Sequence, residues 1–264
     1  MPNLNRSPFI LTAFLIVLAG CSGHPVTPGT TDAPDAATST TTDRDTPQSM
    51  LAPGLTDSGV TDAWALAQAH RDSLANTTYT ERSQRTVHAN GTLRRAVTTT
   101  LRQGQNEQYV YERHAYGTAA ALPNLTVFRN ASTLVQRTSY RNGTVAYSGP
   151  ETASTPATEH YGNVYAVLSA SPTTVEASFE RNGTTRYRVT STGPPTTSSA
   201  YAGVSNYTMT AHVGPDGLVH EYTISYAAIR DGQTVTVSTA VQFTARGETV
   251  VQPPEWGADA LVNS

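Results

Sequence analysis

The sequence contains no lysine, and all 17 of its basic side chains are arginines. It has one cysteine, Cys21, so disulfide bonds within the chain are excluded. Its one long apolar run, Phe9–Ala19, is shorter than the roughly 20 residues that a membrane-spanning helix needs. The net charge is only −3 and the arginines form no basic stripe, which argues against a nucleic-acid partner. Arginine in place of lysine is typical of GC-rich genomes and of proteins from high-salt environments, because the guanidinium group is weakly hydrated.

The apolar run has the length of the hydrophobic region of a secretory signal peptide, and Arg6 precedes it. It ends in Leu18-Ala19-Gly20-Cys21, which resembles the lipobox of secreted lipoproteins, where the cysteine is lipidated and becomes the mature N-terminus. We therefore expect residues 1–20 to be a lipoprotein signal peptide. Cys21 would then anchor the protein to the extracellular side of the cell membrane. The alternative is an ordinary signal peptide cleaved nearby, in which Cys21 has no such role.

The segment after the cysteine is rich in Pro, Thr, Asp and Ala, and it contains almost no large apolar residue. Such a composition cannot bury enough surface to offset the entropy lost on ordering. We predict that residues 21–52 consist of the lipidated cysteine and a disordered stalk. A single folded domain would follow over residues 53–264.

A helix is predicted to run to about Ala75, because Asp62 or Thr61 can serve as its N-cap and apolar residues then recur at helical spacing. Its buried stripe would consist of Trp64, Ala67 and Leu74, with His70 at the edge of the core. A second helix is predicted from Tyr161 to about Ser169, and Pro172 ends it.

The rest of the domain alternates between polar and apolar residues and is divided by turn dipeptides, as expected for antiparallel strands. A two-residue turn at Asp231-Gly232 makes the apolar positions of its two strands coincide. The predicted pairs are Tyr222 with Val241, Ile224 with Thr239, and Tyr226 with Val237.

Turn lengths are also predicted for three other hairpins. For Asn182-Gly183 we predict a three-residue loop, because a two-residue loop would place Phe179 opposite Arg186; the turn at Asn90-Gly91 would be built in the same way. The loop Gly-Pro-Asp-Gly at 214–217 should pair Val213 with Leu218 and Met209 with Tyr222.

The apolar face of a sheet of eight to ten strands must be buried against other elements, and the two helices are the elements available for this. The predicted fold class is therefore α+β: a strongly curved antiparallel sheet, or half-barrel, with two helices packed on its concave face.

Two short motifs carry a resemblance. The helix containing Ala67-Gln68-Ala69-His70 and the closing Pro253-Pro254-Glu255-Trp256 are similar to uncharacterised haloarchaeal surface lipoproteins. The predicted architecture resembles the half-barrel of lipoprotein carriers and of mycobacterial lipid-binding lipoproteins, by analogy of topology. The resemblance implies a concave cavity for an acyl chain or another apolar ligand, and it supplies no catalytic residues.

Strand parity places many of the 13 tyrosines on the apolar face, where they would line a cavity for a lipid-like ligand. The alternative is that the rings fill the interface between sheet and helices. His220 would either meet a ligand head group or be a hydrogen-bonded core histidine. The predicted cavity residues are Tyr109, Tyr111, Tyr187, Met209, His220, Tyr222, Ile224 and Tyr226.

Apart from Asn5, which lies in the predicted signal peptide, seven of the twelve asparagines lie in Asn-x-Ser/Thr sequons. Their position in turns and on polar strand faces is what N-glycosylation requires, although the turn preference of Asn-Gly explains three of them without it. The predicted glycosylation sites are Asn76, Asn90, Asn124, Asn130, Asn142, Asn182 and Asn206.

No metal site and no cofactor are predicted. Glu112 and His114 share a strand face, but two ligands without a third do not make a site. The sequence also contains no nucleophile elbow, no His-Glu-x-x-His motif and no phosphate-binding glycine loop. Glu176 and Glu180 lie beside arginines and favour cross-strand salt pairs over acid–base catalysis.

The predicted function is therefore that of a membrane-anchored lipoprotein without catalytic activity, which binds a hydrophobic or amphiphilic ligand. The alternative is a glycosylated structural or interaction module that contacts other proteins of the cell envelope.

Overall fold

The computed structural model describes residues 48–118, 122–153 and 160–257. The predicted signal peptide, Cys21 and most of the predicted stalk lie outside the described residues. Within the described ranges, neither helix has the length and apolar character needed to cross a bilayer.

The folded part begins with a small antiparallel sheet of three strands, β1 (Met50–Ala52), β2 (Leu55–Thr56) and β3 (Gly59–Val60). Ala52 and Leu55 are buried in the core. Ordered structure therefore starts a few residues before the predicted boundary between stalk and domain at 52/53. The backbone N–H of Val60 donates to Oγ1 of Thr173 at 2.8 Å, which attaches this small sheet to the main one.

The main sheet has eleven strands, all paired antiparallel, and its two outermost strands do not pair with each other. Its spatial order is β10-β11-β12-β13-β14-β4-β5-β6-β7-β8-β9. The sheet thus consists of two meanders joined where the last strand pairs with the first. The strand bounds are β4 Tyr79–Ala89, β5 Thr92–Gln103, β6 Tyr109–Tyr116, β7 Asn124–Arg129, β8 Leu134–Ser139, β9 Val145–Ser148, β10 Thr173–Arg181, β11 Thr184–Ser191, β12 Ser205–Val213, β13 Val219–Arg230 and β14 Gln233–Thr244.

Both predicted helices are present, as α1 (Ala63–Leu74) and α2 (Tyr161–Leu168). Asp62 caps α1, because its Oδ1 accepts the N–H of Ala65 at 2.9 Å. These helices and the open antiparallel sheet confirm the predicted combination of elements, with more strands than expected.

The predicted buried face of α1 is wrong in part. Trp64 is 58% exposed, whereas Leu66 and His70 are fully buried together with Ala67 and Leu74. Leu66, His70 and Leu74 are four residues apart and form one stripe along the helix. The prediction counted only apolar residues, so it missed this stripe, in which the central residue is the polar His70.

The hairpin around Asp231-Gly232 confirms its predicted register. Arg230 pairs with Gln233, so the loop has two residues, and the ladder continues without interruption. Tyr222, Ile224 and Tyr226 lie opposite Val241, Thr239 and Val237, as predicted.

The three-residue loop predicted at Asn182-Gly183 is wrong. Arg181 pairs with Thr184, which makes a two-residue turn, and Phe179 does lie opposite Arg186. A bulge after Val175 shifts the register by one residue, so Val175 can still face Val189. The turn at Asn90-Gly91 is also a two-residue turn, followed by a register shift of the same kind.

The register predicted around 214–217 is wrong by a similar mechanism. Val213 pairs with Val219 and Met209 with Ile224. One residue of β13, His220, has no partner in this ladder, because the register shifts there. The alternation of side chains between the two faces is therefore interrupted at His220.

The two faces of the sheet carry separate apolar clusters. We call the face that contacts both helices, with Tyr79, Tyr222 and Val237, the inner face. The opposite, outer face carries a small cluster of Val110, Phe128 and Val135 on strands β6 to β8. The C-terminal segment covers this cluster with Val251 and Trp256, and the indole lies 6.1 Å from the ring of Tyr147. The sheet is therefore not polar over its whole outer face.

Candidate ligand-binding site

Seven of the eight predicted cavity residues belong to the inner face. Five are buried in the core, and Tyr111 and Tyr187 pack against it while remaining half-buried. His220 is separated from them by the bulge in β13 and borders a groove at the end of the sheet. The five core residues are Tyr109, Met209, Tyr222, Ile224 and Tyr226.

The inner face has a polar centre that the sequence analysis missed. Alternation along β4 brings Glu81, Ser83 and Arg85 to the same face as Tyr79. Glu81 lies opposite Phe243 of β14 and Leu101 of β5, between two buried apolar side chains. Both faces of β4 are polar in sequence, so the signal for a buried carboxyl group lies only in the apolar character of its cross-strand neighbours.

A hydrogen-bonded chain connects Glu81 to the start of α2. Oε2 of Glu81 lies 3.1 Å from Nδ1 of His160, and Nε2 of His160 lies 3.1 Å from the hydroxyl of Tyr79. Burial raises the pKa of Glu81 to about 7 and lowers the pKa of His160 to about 4. Near neutral pH the carboxyl group of Glu81 is therefore partly protonated, and the imidazole of His160 is uncharged.

Further tyrosine hydroxyls surround this carboxyl group. Burial raises the pKa of Tyr222, and the charge of Glu81 raises it further; burial and Glu81 also raise the pKa of Tyr111. Arg85 donates from Nη2 to the hydroxyl of Tyr226 at 2.9 Å, and Tyr201 packs edge-on against Tyr226. We call this set the tyrosine cluster; it consists of Glu81, Arg85, His160 and the tyrosines 79, 111, 201, 222 and 226.

We expect Glu81→Gln to change how stability depends on pH. In the native state the carboxyl group keeps its proton up to about pH 7, whereas its ordinary pKa is 4.5. At Glu81 the native state therefore binds more protons than the unfolded state between these values, and the contribution of this carboxyl group to stability falls as pH rises through this window. The variant should lose this dependence and gain on the order of 2–3 kcal/mol relative to wild type between pH 4.5 and pH 8. Urea unfolding at several pH values measures it.

The matched control is Glu248→Gln, at an exposed carboxyl group. Its unfolding free energy should follow the wild type at every pH. If Glu81→Gln shows the same pH profile as wild type, the carboxyl group titrates normally and the polar centre is not buried as described.

The seven sequon asparagines lie at the surface. Six are exposed, and Asn130 is half-buried because its Oδ1 accepts the backbone N–H groups of Ser132 and Thr133. Exposure leaves room for a glycan at these positions, and their glycosylation stays a prediction.

Other polar residues singled out in the sequence have ordinary partners. Glu112 forms an ion pair with Arg102 at 2.9 Å. Glu176 accepts the hydroxyl of Thr190 instead of pairing with an arginine, which corrects the predicted salt pair. In the described part of the chain no three His, Cys, Asp or Glu side chains come together as a metal site would require.

Several solved structures are similar to this chain. LprF from Mycobacterium bovis is 15% identical, with a TM-score of 0.40 over 75% of this chain and 98% of its own. The lipoprotein LppX from Mycobacterium tuberculosis is 10% identical, with a TM-score of 0.38 over 72% of this chain and 97% of its own. A DUF1329 family protein from Desulfovibrio piger is 9% identical, with a TM-score of 0.30 over 76% of this chain and 98% of its own.

No curated protein matches the sequence. Residues 6–260, which include all of the helices and strands described above, match the family of unknown function DUF7537. The chain belongs to the DUF7537 family.

Proposed function

We propose that this protein is an extracytoplasmic lipoprotein, anchored through Cys21, that binds a hydrophobic or amphiphilic ligand between its helices and the inner face of its sheet. It performs no chemistry on that ligand. The observation that carries the proposal is the tyrosine cluster, a set of hydroxyl groups around one largely shielded carboxyl group on the inner face.

A buried carboxyl group is costly for a fold, and apolar side chains of similar volume often serve stability equally well. The neighbours of Glu81 on both adjacent strands, Phe243 and Leu101, are apolar. An apolar side chain would pack well between them, so packing alone does not account for a carboxyl group at this position. Groups with displaced pKa values concentrate at functional sites. Tyrosine walls with a few convergent polar groups suit an amphiphile, whose chain contacts the rings and whose head group accepts hydrogen bonds.

The test is mass spectrometry of the non-covalently bound compounds extracted from the purified full chain. Organic extraction leaves the acyl groups on Cys21 attached to the protein, so only the bound ligand is counted. We expect one amphiphile near stoichiometric amount. Tyr111→Phe should lower its occupancy several-fold, because it removes an inner-face hydroxyl and leaves the ring in place.

Tyr116→Phe is the matched control, since Tyr116 is on the same strand but is exposed and lies on the outer face. Equal losses in both variants would contradict the proposed site. A wild-type chain that carries no stoichiometric compound would contradict the proposed function itself.

That last result would favour the second candidate, a glycosylated interaction module of the cell envelope. The observation in its favour is the exposure of six sequon asparagines. A partner surface would then have to lie between the glycans.

A further inference from the structure

A groove of about 580 Å³ lies at one end of the main sheet. It is bordered by the C-terminal end of α1, the turn between β10 and β11, the turn between β12 and β13, and the end of β14. Its apolar lining includes Leu74, Leu218 and Phe243, and its volume is within the usual range for small-molecule sites. Its polar lining includes three arginines and two carboxylates: Arg181, Arg186, Arg246, Asp216 and Glu221.

The two carboxylates of the groove already have partners. Asp216 forms an ion pair with Arg246 at 2.8 Å and also accepts the backbone N–H of Leu218. Glu221 contacts Nδ1 of His212 at 2.6 Å and Arg181 at 3.4 Å. Both carboxylates are therefore engaged by other side chains, and neither makes a direct contact with Arg186.

Arg186 is the cation that remains. It forms no hydrogen bond or ion pair with any described residue, and its Nε is shielded from solvent. Partial burial and the neighbouring charge of Arg181 lower the pKa of Arg186, while the charge of Glu221 raises it. The side chain is half-buried and has no direct ion-pair partner in the described part of the chain.

His220 supplies a second unsatisfied group at the same place. Its Nε2 is shielded from solvent without a partner in the described residues, and it lies beside Gly214 in the turn between β12 and β13. Four charged side chains are close enough to influence the ring electrostatically: Arg186, Asp216, Arg246 and Glu221. Two polar groups without partners thus border one groove.

We propose that this groove binds an oxyanion, a carboxylate or phosphate group, with Arg186 as its ionic partner and His220 as a second hydrogen-bonding group. A guanidinium group donates two parallel hydrogen bonds to such an anion. The apolar lining beside the cations leaves space for an alkyl chain attached to it. The groove shares Tyr79 with the tyrosine cluster, but Arg186 and His220 are not part of that cluster, so the proposal does not depend on the proposed function.

The experiment uses the full chain in a neutral maltoside detergent at constant ionic strength. Isothermal titration is carried out with inorganic phosphate and, separately, with dodecyl phosphate. Binding of inorganic phosphate would identify a site for a free anion, whereas binding of dodecyl phosphate alone would identify a site for an anionic head group with its chain. Both results support the proposal.

Arg186→Gln should weaken binding at least tenfold, and Arg186→Lys, which keeps the charge but not the paired geometry, should weaken it less. The matched control is Arg188→Gln. This residue is on the same strand, two positions away, and lies over the ring of Phe179 outside the groove. It removes the same charge and should leave the affinity unchanged within about twofold.

The proposal is overturned if neither probe binds the wild type, or if the Arg186→Gln and Arg188→Gln variants lose affinity equally. The thermal midpoint of each variant is measured in the same buffer. Should Arg186→Gln fail to fold, the comparison between Arg186→Lys and Arg188→Gln decides, since only the first would then weaken binding.

Discussion

Replacing His70 with alanine is expected to lower the free energy of unfolding by about 3–5 kcal/mol. The side chain is fully buried on α1, and its ring packs edge-on against Phe243 with 4.7 Å between centroids. Its Nδ1 accepts the backbone N–H of Val219 at 3.2 Å. The substitution therefore leaves both a cavity and a buried backbone donor without an acceptor, and the two costs add. Urea unfolding at pH 8 measures the loss.

Trp64→Ala on the same helix is the matched control. Although tryptophan is much larger than histidine, Trp64 is 58% exposed, and we expect its loss to cost less than about 1 kcal/mol. The opposite ranking would mean that α1 presents its tryptophan to the sheet, as the sequence analysis predicted.

Gly59→Ala is expected to lower the free energy of unfolding by about 3–5 kcal/mol, from two sources. Gly59 has φ +131°, a conformation that residues with a side chain rarely adopt. A Cβ at this position would also lie 2.2 Å from the backbone carbonyl oxygen of Thr173. Relieving this overlap would separate the small sheet from β10 and break the hydrogen bond from Val60 to Thr173. Thermal and urea unfolding would both record the loss.

Gly232→Ala separates the two sources. Gly232 also has a positive φ, +72°, but no atom lies within 4 Å of the position that its Cβ would occupy. Gly232→Ala should lower the free energy of unfolding only through the strained backbone conformation, by about 1–2 kcal/mol. If the two variants lose the same stability, the small sheet does not pack closely against β10.

Alternation of apolar residues predicted the sheet best where its ladders are uninterrupted. The hairpin at Asp231-Gly232 has no bulge, so one turn length fixed every pair along it. At Asn182-Gly183 the prediction assumed that a single register must satisfy both Val175 and Phe179. A bulge between them allows both pairings, and a bulge has no reliable sequence signal here because the extra residue is simply another polar one, Glu176.

The candidate site could be predicted only on its apolar side. Parity identified Tyr111, Tyr222 and Tyr226, because inward tyrosines alternate with polar residues on their strands. Glu81 and His160 could not be found in this way. Their burial depends on β14 and α2, which are far from β4 in the sequence, so the carboxyl group and the imidazole meet only in the folded domain.

The order of strands in the main sheet also determines when it can be completed. Every neighbouring pair is consecutive in the chain except β14 and β4, which lie at the centre of the sheet and are joined by ten residue pairs. During synthesis the first meander can form from local hairpins, yet one side of β4 has no hydrogen-bonding partner until the last strand is made. During most of the synthesis of the chain, β4 is thus an edge strand. Arg82 and Arg85 on β4 are the kind of charged side chains that discourage an exposed edge from pairing with another molecule in that interval.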